Sequence, residues 1–183
     1  WVEQYDPALF ERIRAHVKSG KWHIMGGWYL QPDCNMPCGE SIIRQIETGR
    51  KYFRDTFGID DNRVVINFDA FGHSRGLVQI PEKAGYEGYI CFRPGEHEMH
   101  TPEREYLWEG FNGSSILVHR ADSYNTPMGK AHEKIEKYLA EYSHIPEGLV
   151  LWGVGNHGGG PSREDLRQIE RLREKYPDIQ ILH

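Results

Sequence analysis

A candidate catalytic carboxylate stands in the segment Asn67-Phe68-Asp69-Ala70-Phe71-Gly72-His73-Ser74. Residues 64–66, just before it, are three β-branched residues in a row, which predicts a strand covered on both faces, as in parallel sheets. Ligands of such sheets bind beyond the carboxyl ends of the strands, where Asp69 would lie. A lone aspartate after a strand is more often a turn residue. His73 and Ser74, however, add polar groups to the same short loop, so we interpret it as part of a site.

Two further segments have the composition of ligand-binding loops. Residues 153–160 contain five glycines around Asn156 and His157, which lets the backbone approach a ligand closely. A phosphate-binding loop is the alternative, but the segment has neither the lysine of a P-loop nor the glycine order of a dinucleotide site. The polar run 31–37 contains Asp33 and on its own predicts a turn followed by a helix cap.

Together these segments resemble three successive signatures of glycoside hydrolase family 38. The matching residues are Asp33-Cys34-Asn35 with Pro37 and Gly39-Glu40-Ser41, Asp69 with Phe71-Gly72-His73-Ser74, and Gly155 through Pro161. The resemblance covers essentially the whole chain. It implies an α/β fold, a partial seven-stranded β/α barrel with mainly parallel strands, with residues 1–183 as a single domain from the N-terminal catalytic barrel. It also implies retaining hydrolysis of terminal α-mannosides and one zinc ion.

The resemblance assigns roles to two residues, Asp69 in the second signature and Arg93. Asp69 is implied to be both the nucleophile and a zinc ligand, and a metal-bound carboxylate stays ionised. Arg93 matches an arginine beside the nucleophile, where its guanidinium would contact substrate and keep Asp69 charged. The alternative for Arg93 is a surface arginine before a proline. His73 is expected to orient the loop rather than to bind the metal.

The sequence departs from the family pattern at the general acid. Many relatives carry an aspartate where this chain has Asn156, and an amide cannot donate and recover a proton as a carboxylic acid does. His157 and Asp122 are alternatives for the acid, and neither is favoured. Asn156, His157 and Asp33 are instead interpreted as substrate-binding residues.

Most of the zinc ligands are also missing from the chain. In the family they come from a His-x-Asp motif before the region of Trp1 and from a His-Asp pair beyond His183. A single aspartate holds zinc poorly, so we expect the isolated chain to be inactive and the longer parent protein to be the enzyme. His97 and His100 have a helical metal-binding spacing, but the prolines and glycine around them favour an irregular loop.

The rest of the sequence predicts alternating helices and strands, and therefore an α/β fold with a mainly parallel sheet. Helices are predicted after Asp6-Pro7 up to Gly20, from about 42 to 57, near 79–84, over 133–142 and after Ser162. Strands are predicted at 22–25, 63–68, 88–92, 115–118, 149–152 and 179–182.

Composition excludes several classes of partner. The net charge is −5 and basic residues are interspersed with acidic ones, so we expect no nucleic acid partner. No stretch approaches the ~20 apolar residues of a membrane span, and the N-terminus has no signal pattern, so no membrane partner is expected. Three cysteines favour a reducing, cytoplasmic compartment. A homo-oligomer of the parent is left open.

Two other functions compete with the α-mannosidase. A zinc-dependent polysaccharide deacetylase would have a similar architecture, but it needs a His-x-x-x-His pair, and the sequence has none near an aspartate at a strand end. A carbohydrate-binding domain without catalytic activity is the second alternative, and Asn156 in place of an acid favours it.

Overall fold

The computed structural model describes residues 1–95, 98, 103–155 and 159–182. The chain forms two compact units, Trp1–Arg120 and Ala121–His183. The expectation of a single domain over residues 1–183 stays a prediction.

The first unit contains one sheet of four strands. These are β1 (Val64–Asn67), β2 (Gly88–Cys91), β3 (Glu105–Glu109) and β4 (Ser115–Arg120), in the order β1-β2-β4-β3. β1 pairs with β2 and β2 with β4 in parallel, whereas β3 is an antiparallel edge strand. The carboxyl ends of the three parallel strands therefore meet at one edge of the sheet, where the loops carrying Asp69 and Arg93 begin.

The core of the first unit lies on one face of this sheet. Val65, Tyr89 and Val118 are partners across three neighbouring strands, and each is at most 1% exposed. Ile42 and Ile46 of a long helix pack into the same cluster. Their spacing of four residues places both side chains on one helix face, as the sequence pattern predicts.

The described part of the first unit also contains four α-helices and a short 3-10 helix. They are α1 (Val2–Tyr5), α2 (Pro7–Lys18), α3 (Gly39–Phe57), the 3-10 turn Arg75–Leu77 and α4 (Gln79–Lys83). The Asp6 side chain caps α2 by accepting a hydrogen bond from the Leu9 amide at 2.9 Å. α3 ends at Gly58, whose φ of 72° is the left-handed conformation that glycine adopts without strain.

The second unit is built on two helices, α5 (Ala131–Tyr142) and α6 (Arg163–Lys175). Their buried faces form one apolar cluster of Ala131, Ile135, Ile169 and Leu172. Ser162 caps α6 by accepting from the Asp165 amide at 3.0 Å, which confirms the cap that the sequence predicts.

The predicted helices are confirmed to within three residues at their ends, and the strands at 63–68, 88–92 and 115–118 are confirmed to within two. The strands predicted at 22–25, 149–152 and 179–182 are wrong, since all three segments are described and none pairs in a sheet. In the last two segments, backbone carbonyl oxygens accept hydrogen bonds from side chains instead of from a neighbouring strand. Lys134 donates to the Leu151 carbonyl at 2.6 Å, and Arg173 donates to the Ile181 carbonyl at 2.8 Å. Trp22 and Met25 are half exposed.

The α/β class and the mainly parallel sheet are confirmed. The seven-stranded barrel is not, because the described residues form one sheet of four strands. No helix in the described ranges has the length and apolarity needed to cross a membrane.

Candidate active site

Asp69 and Arg93 lie beside each other at the carboxyl edge of the sheet. Arg93 Nε donates to Asp69 Oδ1 at 2.6 Å, and the two side chains are 39% and 36% exposed. The amides of Phe92 and Arg93 both lie 3.2 Å from the Phe68 carbonyl oxygen, to which they donate. The segments that follow β1 and β2 are therefore held together by backbone and side-chain contacts.

This pairing has an electrostatic consequence for the carboxylate. A guanidinium in hydrogen-bonding contact favours the ionised form of an aspartate, which is the form that can act as a nucleophile. Solvent reaches both side chains and screens the attraction, so the contact is weaker than a buried pair of the same geometry. Its other effect is orientation, because Nε holds Oδ1 on one side of the carboxylate.

His73 lies behind this pair, between β2 and the Arg93 backbone. Its Nδ1 is 2.9 Å from the Tyr89 hydroxyl oxygen, and its Nε2 is 2.8 Å from the Arg93 carbonyl oxygen. The ring also makes edge contacts with the rings of Tyr89 and Trp108. Burial lowers the pKa of His73, so the ring is neutral near pH 7. These contacts suit the orienting role that the sequence predicts for His73.

The loop that contains Asp33 packs against the loop that contains His73. Cys34 forms a parallel backbone bridge with His73, and the Asn35 side-chain amide donates to the Phe71 carbonyl at 3.4 Å. Asp33 Oδ1 accepts from the amides of Asn35 and Met36 at 2.7 and 2.9 Å. These bonds, that from Asn35 foremost, lower the pKa of Asp33. Asp33 thus stabilises its own turn, and its role in substrate binding stays a prediction.

Gly72 permits the close contact between these two loops. Its φ is +112°, and a Cβ atom at this position would lie 2.6 Å from Asn35 Nδ2. Residues with a side chain rarely adopt this backbone conformation. The glycine is therefore required by the geometry of the loop.

A cavity of about 170 Å³ borders His73. Its walls are mainly aromatic and aliphatic and include His73, Tyr89, Tyr106 and Trp108. Asp69 and Arg93 are not among the residues that line it. We therefore do not assign this cavity to the sugar, since a glycosidase must bind its substrate against the nucleophile.

Several predicted residues lie outside the described ranges. Asn156 and His157 are among them, as are His97 and His100, so their proposed roles stay predictions. Asp122 is described and is an exposed residue of the second unit.

The described residues do not by themselves fit a zinc ion. Within these ranges, no group of three or more His, Cys, Asp or Glu side chains is arranged to hold a metal. Asp69 would supply one ligand, and a zinc site needs three or four protein ligands.

Tyr89 was not among the site residues predicted from the sequence. It is 1% exposed in the middle of a parallel strand, and its hydroxyl contacts His73. A buried tyrosine hydroxyl needs a hydrogen-bond partner, so a tyrosine within the apolar run 88–92 was a signal for a polar contact there.

The amino-acid sequence matches a known protein family. The model of the glycosyl hydrolases family 38 N-terminal domain matches residues 1–183. Alpha-mannosidase G of Dictyostelium discoideum is 32% identical over 182 residues, covering 94% of this chain and 16% of that protein. Alpha-mannosidase 2C1 of Homo sapiens is 30% identical over 192 residues, covering 99% and 18%. The chain thus spans less than one fifth of the length of these relatives.

Solved structures share the fold. An alpha-mannosidase from Enterococcus faecalis V583 superposes with a TM-score of 0.72 at 21% identity, covering 98% of this chain and 21% of that chain. A 4-alpha-glucanotransferase from Thermococcus litoralis superposes with a TM-score of 0.61 at 20% identity, covering 96% and 28%. At these identities the likeness concerns the fold alone. The match over all 183 residues shows that the chain belongs to glycosyl hydrolase family 38, through the N-terminal domain of that family.

Proposed function

We propose that the full-length protein is a retaining α-mannosidase in which Asp69 is the nucleophile. The observation that carries the proposal is the position of Asp69: it follows a parallel strand whose alternate residues are buried, is partly exposed, and is held by Arg93 at 2.6 Å. The family's relatives named above are alpha-mannosidases, which supports an α-mannoside as the substrate. The complete barrel of seven strands is part of this proposal.

The proposed reaction has two steps. The Asp69 carboxylate attacks the anomeric carbon and forms a glycosyl ester while the glycosidic C–O bond breaks and the leaving alcohol takes a proton from a general acid. Water, which gives a proton back to the same group, then hydrolyses the ester and frees mannose and the carboxylate. Arg93 favours the charged form of Asp69, which is the attacking group in the first step and the leaving group in the second. Retention needs a second carboxyl group ~5–5.5 Å away as acid and base. We leave that residue unassigned.

We also propose that Asp69 contributes one ligand to a zinc ion whose other ligands come from outside the described residues. The chemistry that zinc would supply is to bind sugar hydroxyls and fix the geometry of the ring. Loss of activity on treatment with a chelator, and its return on addition of Zn²⁺, would support this part of the proposal. Full activity in thoroughly metal-free protein would refute it.

The nucleophile is tested with Asp69→Asn in the full-length protein, assayed with an aryl α-mannoside. Removal of a catalytic nucleophile is expected to lower kcat by about 1,000-fold or more. Asp61→Asn is the matched control, because Asp61 lies before the same strand, is exposed, and makes only a surface ion pair with Arg63. Wild-type turnover by the Asp69 variant would refute the assignment, and release of acetate instead of mannose would favour a deacetylase.

Retention is tested separately by following the anomeric configuration of the first product by NMR. The proposal predicts that α-mannose forms first and then mutarotates. If β-mannose forms first, the enzyme inverts, and Asp69 acts as a base on water rather than as the nucleophile.

A further inference from the structure

The contacts of His73 fix which of its ring nitrogens carries the proton. Nε2 lies 2.8 Å from the Arg93 carbonyl oxygen, and a carbonyl oxygen can only accept. Nε2 therefore carries the hydrogen in a neutral ring, and Nδ1 is the acceptor. The Tyr89 hydroxyl, 2.9 Å from Nδ1, must then donate to it. The two bonds run in one direction, from Tyr89 through His73 to the Arg93 backbone.

Burial keeps Tyr89 and His73 in the protonation states that these two hydrogen bonds require. Tyr89 is 1% exposed, and burial, foremost among the causes, raises its pKa well above its usual range. Its hydroxyl therefore keeps its hydrogen. Burial also lowers the pKa of His73, which keeps the ring neutral, with one donor and one acceptor.

A second layer holds the tyrosine from the other side. The Cys34 sulfur lies 3.7 Å from the Tyr89 hydroxyl oxygen, and the Asn67 side-chain amide donates to that sulfur at 2.9 Å. The single hydrogen of the Cys34 thiol can go either to the Tyr89 hydroxyl oxygen or to the Pro32 carbonyl oxygen, which lies 3.8 Å away. Cys34 and Asn67 are both buried, so these contacts are shielded from water.

We propose that Tyr89 is a positioning residue that acts through His73 to hold Arg93 against Asp69. The basis is that His73 fixes the Arg93 backbone, while the Arg93 side chain holds the carboxylate at 2.6 Å. The inference rests on the proposed function, in which Asp69 is the nucleophile. It adds a fully buried residue, out of reach of substrate, whose hydroxyl tunes the geometry of the reacting group.

The first test is Tyr89→Phe in the full-length protein, compared with Tyr86→Phe. Both substitutions remove one buried tyrosine hydroxyl from the first unit, but the Tyr86 hydroxyl donates to the Gly26 carbonyl. We expect Tyr89→Phe to lower kcat about 5-fold with little change in KM, the effect of one neutral hydrogen bond. The control should keep the wild-type kcat. Equal kcat values in the two variants would overturn the proposal.

The second test compares two substitutions of His73. The amide nitrogen of His73→Gln can take the place of Nε2 and donate to Arg93, whereas that of His73→Asn lies near Nδ1 and cannot reach the carbonyl. We expect Gln to retain at least about 5-fold more kcat than Asn. Adding Tyr89→Phe to His73→Gln should then lower kcat little further, because His73→Gln has already removed the hydrogen bond between the Tyr89 hydroxyl and residue 73. Equal losses of kcat in His73→Gln and His73→Asn would contradict the proposal that Tyr89 acts through His73. Fully additive losses of kcat in the double variant would also contradict it.

A third readout does not depend on catalysis. In a crystal structure of the Tyr89→Phe protein, we expect Arg93 Nε to leave Asp69 Oδ1 or to occupy more than one position. In the Tyr86→Phe protein the pair should remain intact. An unchanged pair in Tyr89→Phe would overturn this inference and leave the proposed function standing. A wild-type protein that does not hydrolyse the mannoside would defeat the proposed function instead.

Discussion

Gly72→Ala tests whether the backbone of the nucleophile loop is under the constraint that the structure indicates. Gly72 has a φ of +112°, a conformation that costs a residue with a side chain about 1–3 kcal/mol. The added methyl group would also lie 2.6 Å from Asn35 Nδ2. Asn35 is exposed and the clash involves the end of its side chain, so this group can rotate away. Rotation breaks its bond to the Phe71 carbonyl, which is long at 3.4 Å and contributes about 0.5 kcal/mol or less.

The sum is a destabilisation of about 2 kcal/mol, most of it from the backbone. Amide hydrogen exchange over residues 67–78 of the full-length protein measures the local opening free energy directly. Gly76→Ala is the matched control: Gly76 lies four residues further on, in the 3-10 helix that follows the loop, has no positive φ, and its Cβ would make only an ordinary contact at 3.6 Å with Ser74 Oγ. We expect no measurable change for the control.

The double variant Asn35→Ala/Gly72→Ala separates the two causes. If strain at φ dominates, removal of the Asn35 side chain restores little of the lost stability. A full return to the stability of Asn35→Ala alone would mean that the clash is the main cost. No destabilisation in Gly72→Ala would refute the reasoning, because the loop would then tolerate a side chain at this position.

Three further predictions concern the ion pair, pH and the second unit. Arg93→Met should lower kcat about 10-fold, because it removes a charge-assisted hydrogen bond that solvent already weakens, and Arg93→Lys should recover part of the loss; a wild-type rate in the Met variant would contradict this. Burial lowers the pKa of His73 below its unfolded value of about 6.5, so the stability that the neutral ring contributes is complete above pH 6.5 and is lost as the pH falls toward the folded pKa. Unfolding midpoints measured against pH should show this loss in the wild-type protein. The same measurement on His73→Gln should not show it. Asp165→Ala should destabilise the second unit by about 3 kcal/mol, because this 1% exposed carboxylate accepts from the Ala131 amide at 2.9 Å and from the Ser162 hydroxyl; exchange rates in α5 equal to those of an Asp178→Ala control would contradict it.

Local signals in the sequence predicted most of the fold. The run 64–66 predicted a buried parallel strand, and the Asp6 and Ser162 caps predicted helix starts, because these patterns depend on neighbouring residues alone. β3 was missed because Glu105–Glu109 has no alternation of polar and apolar residues in its sequence: Tyr106, Leu107 and Trp108 stand in a row, and the alternation of exposed and half-buried side chains appears only in the structure.

The wrong strands fail for the opposite reason. A short apolar run such as 149–152 has the composition of a strand, but it becomes one only where another strand is available to pair with it. The described residues offer it no such partner. The strand prediction therefore rested on residue propensity alone, whereas strand formation also depends on a tertiary contact that propensity does not include.

The candidate site could be predicted in part. Asp69 was identifiable from its position after a strand and from the motif around it. The hydrogen bonds from Tyr89 to His73 and from His73 to Arg93 could not be predicted. They depend on the strand register that sets Tyr89 opposite Val65, and on the position of the loop that brings His73 to the Tyr89 hydroxyl. Register is a property of strand pairs, and one sequence alone does not fix it.

The most direct test of the central claim is to trap the glycosyl ester on the nucleophile. A fluorinated α-mannosyl fluoride slows the second step, so the covalent intermediate accumulates in the full-length protein and can be located by peptide mass spectrometry. We predict one sugar per protein, attached to Asp69 within the peptide that spans residues 64–75, and none in Asp69→Asn. A label on any other carboxylate would contradict the assignment of Asp69.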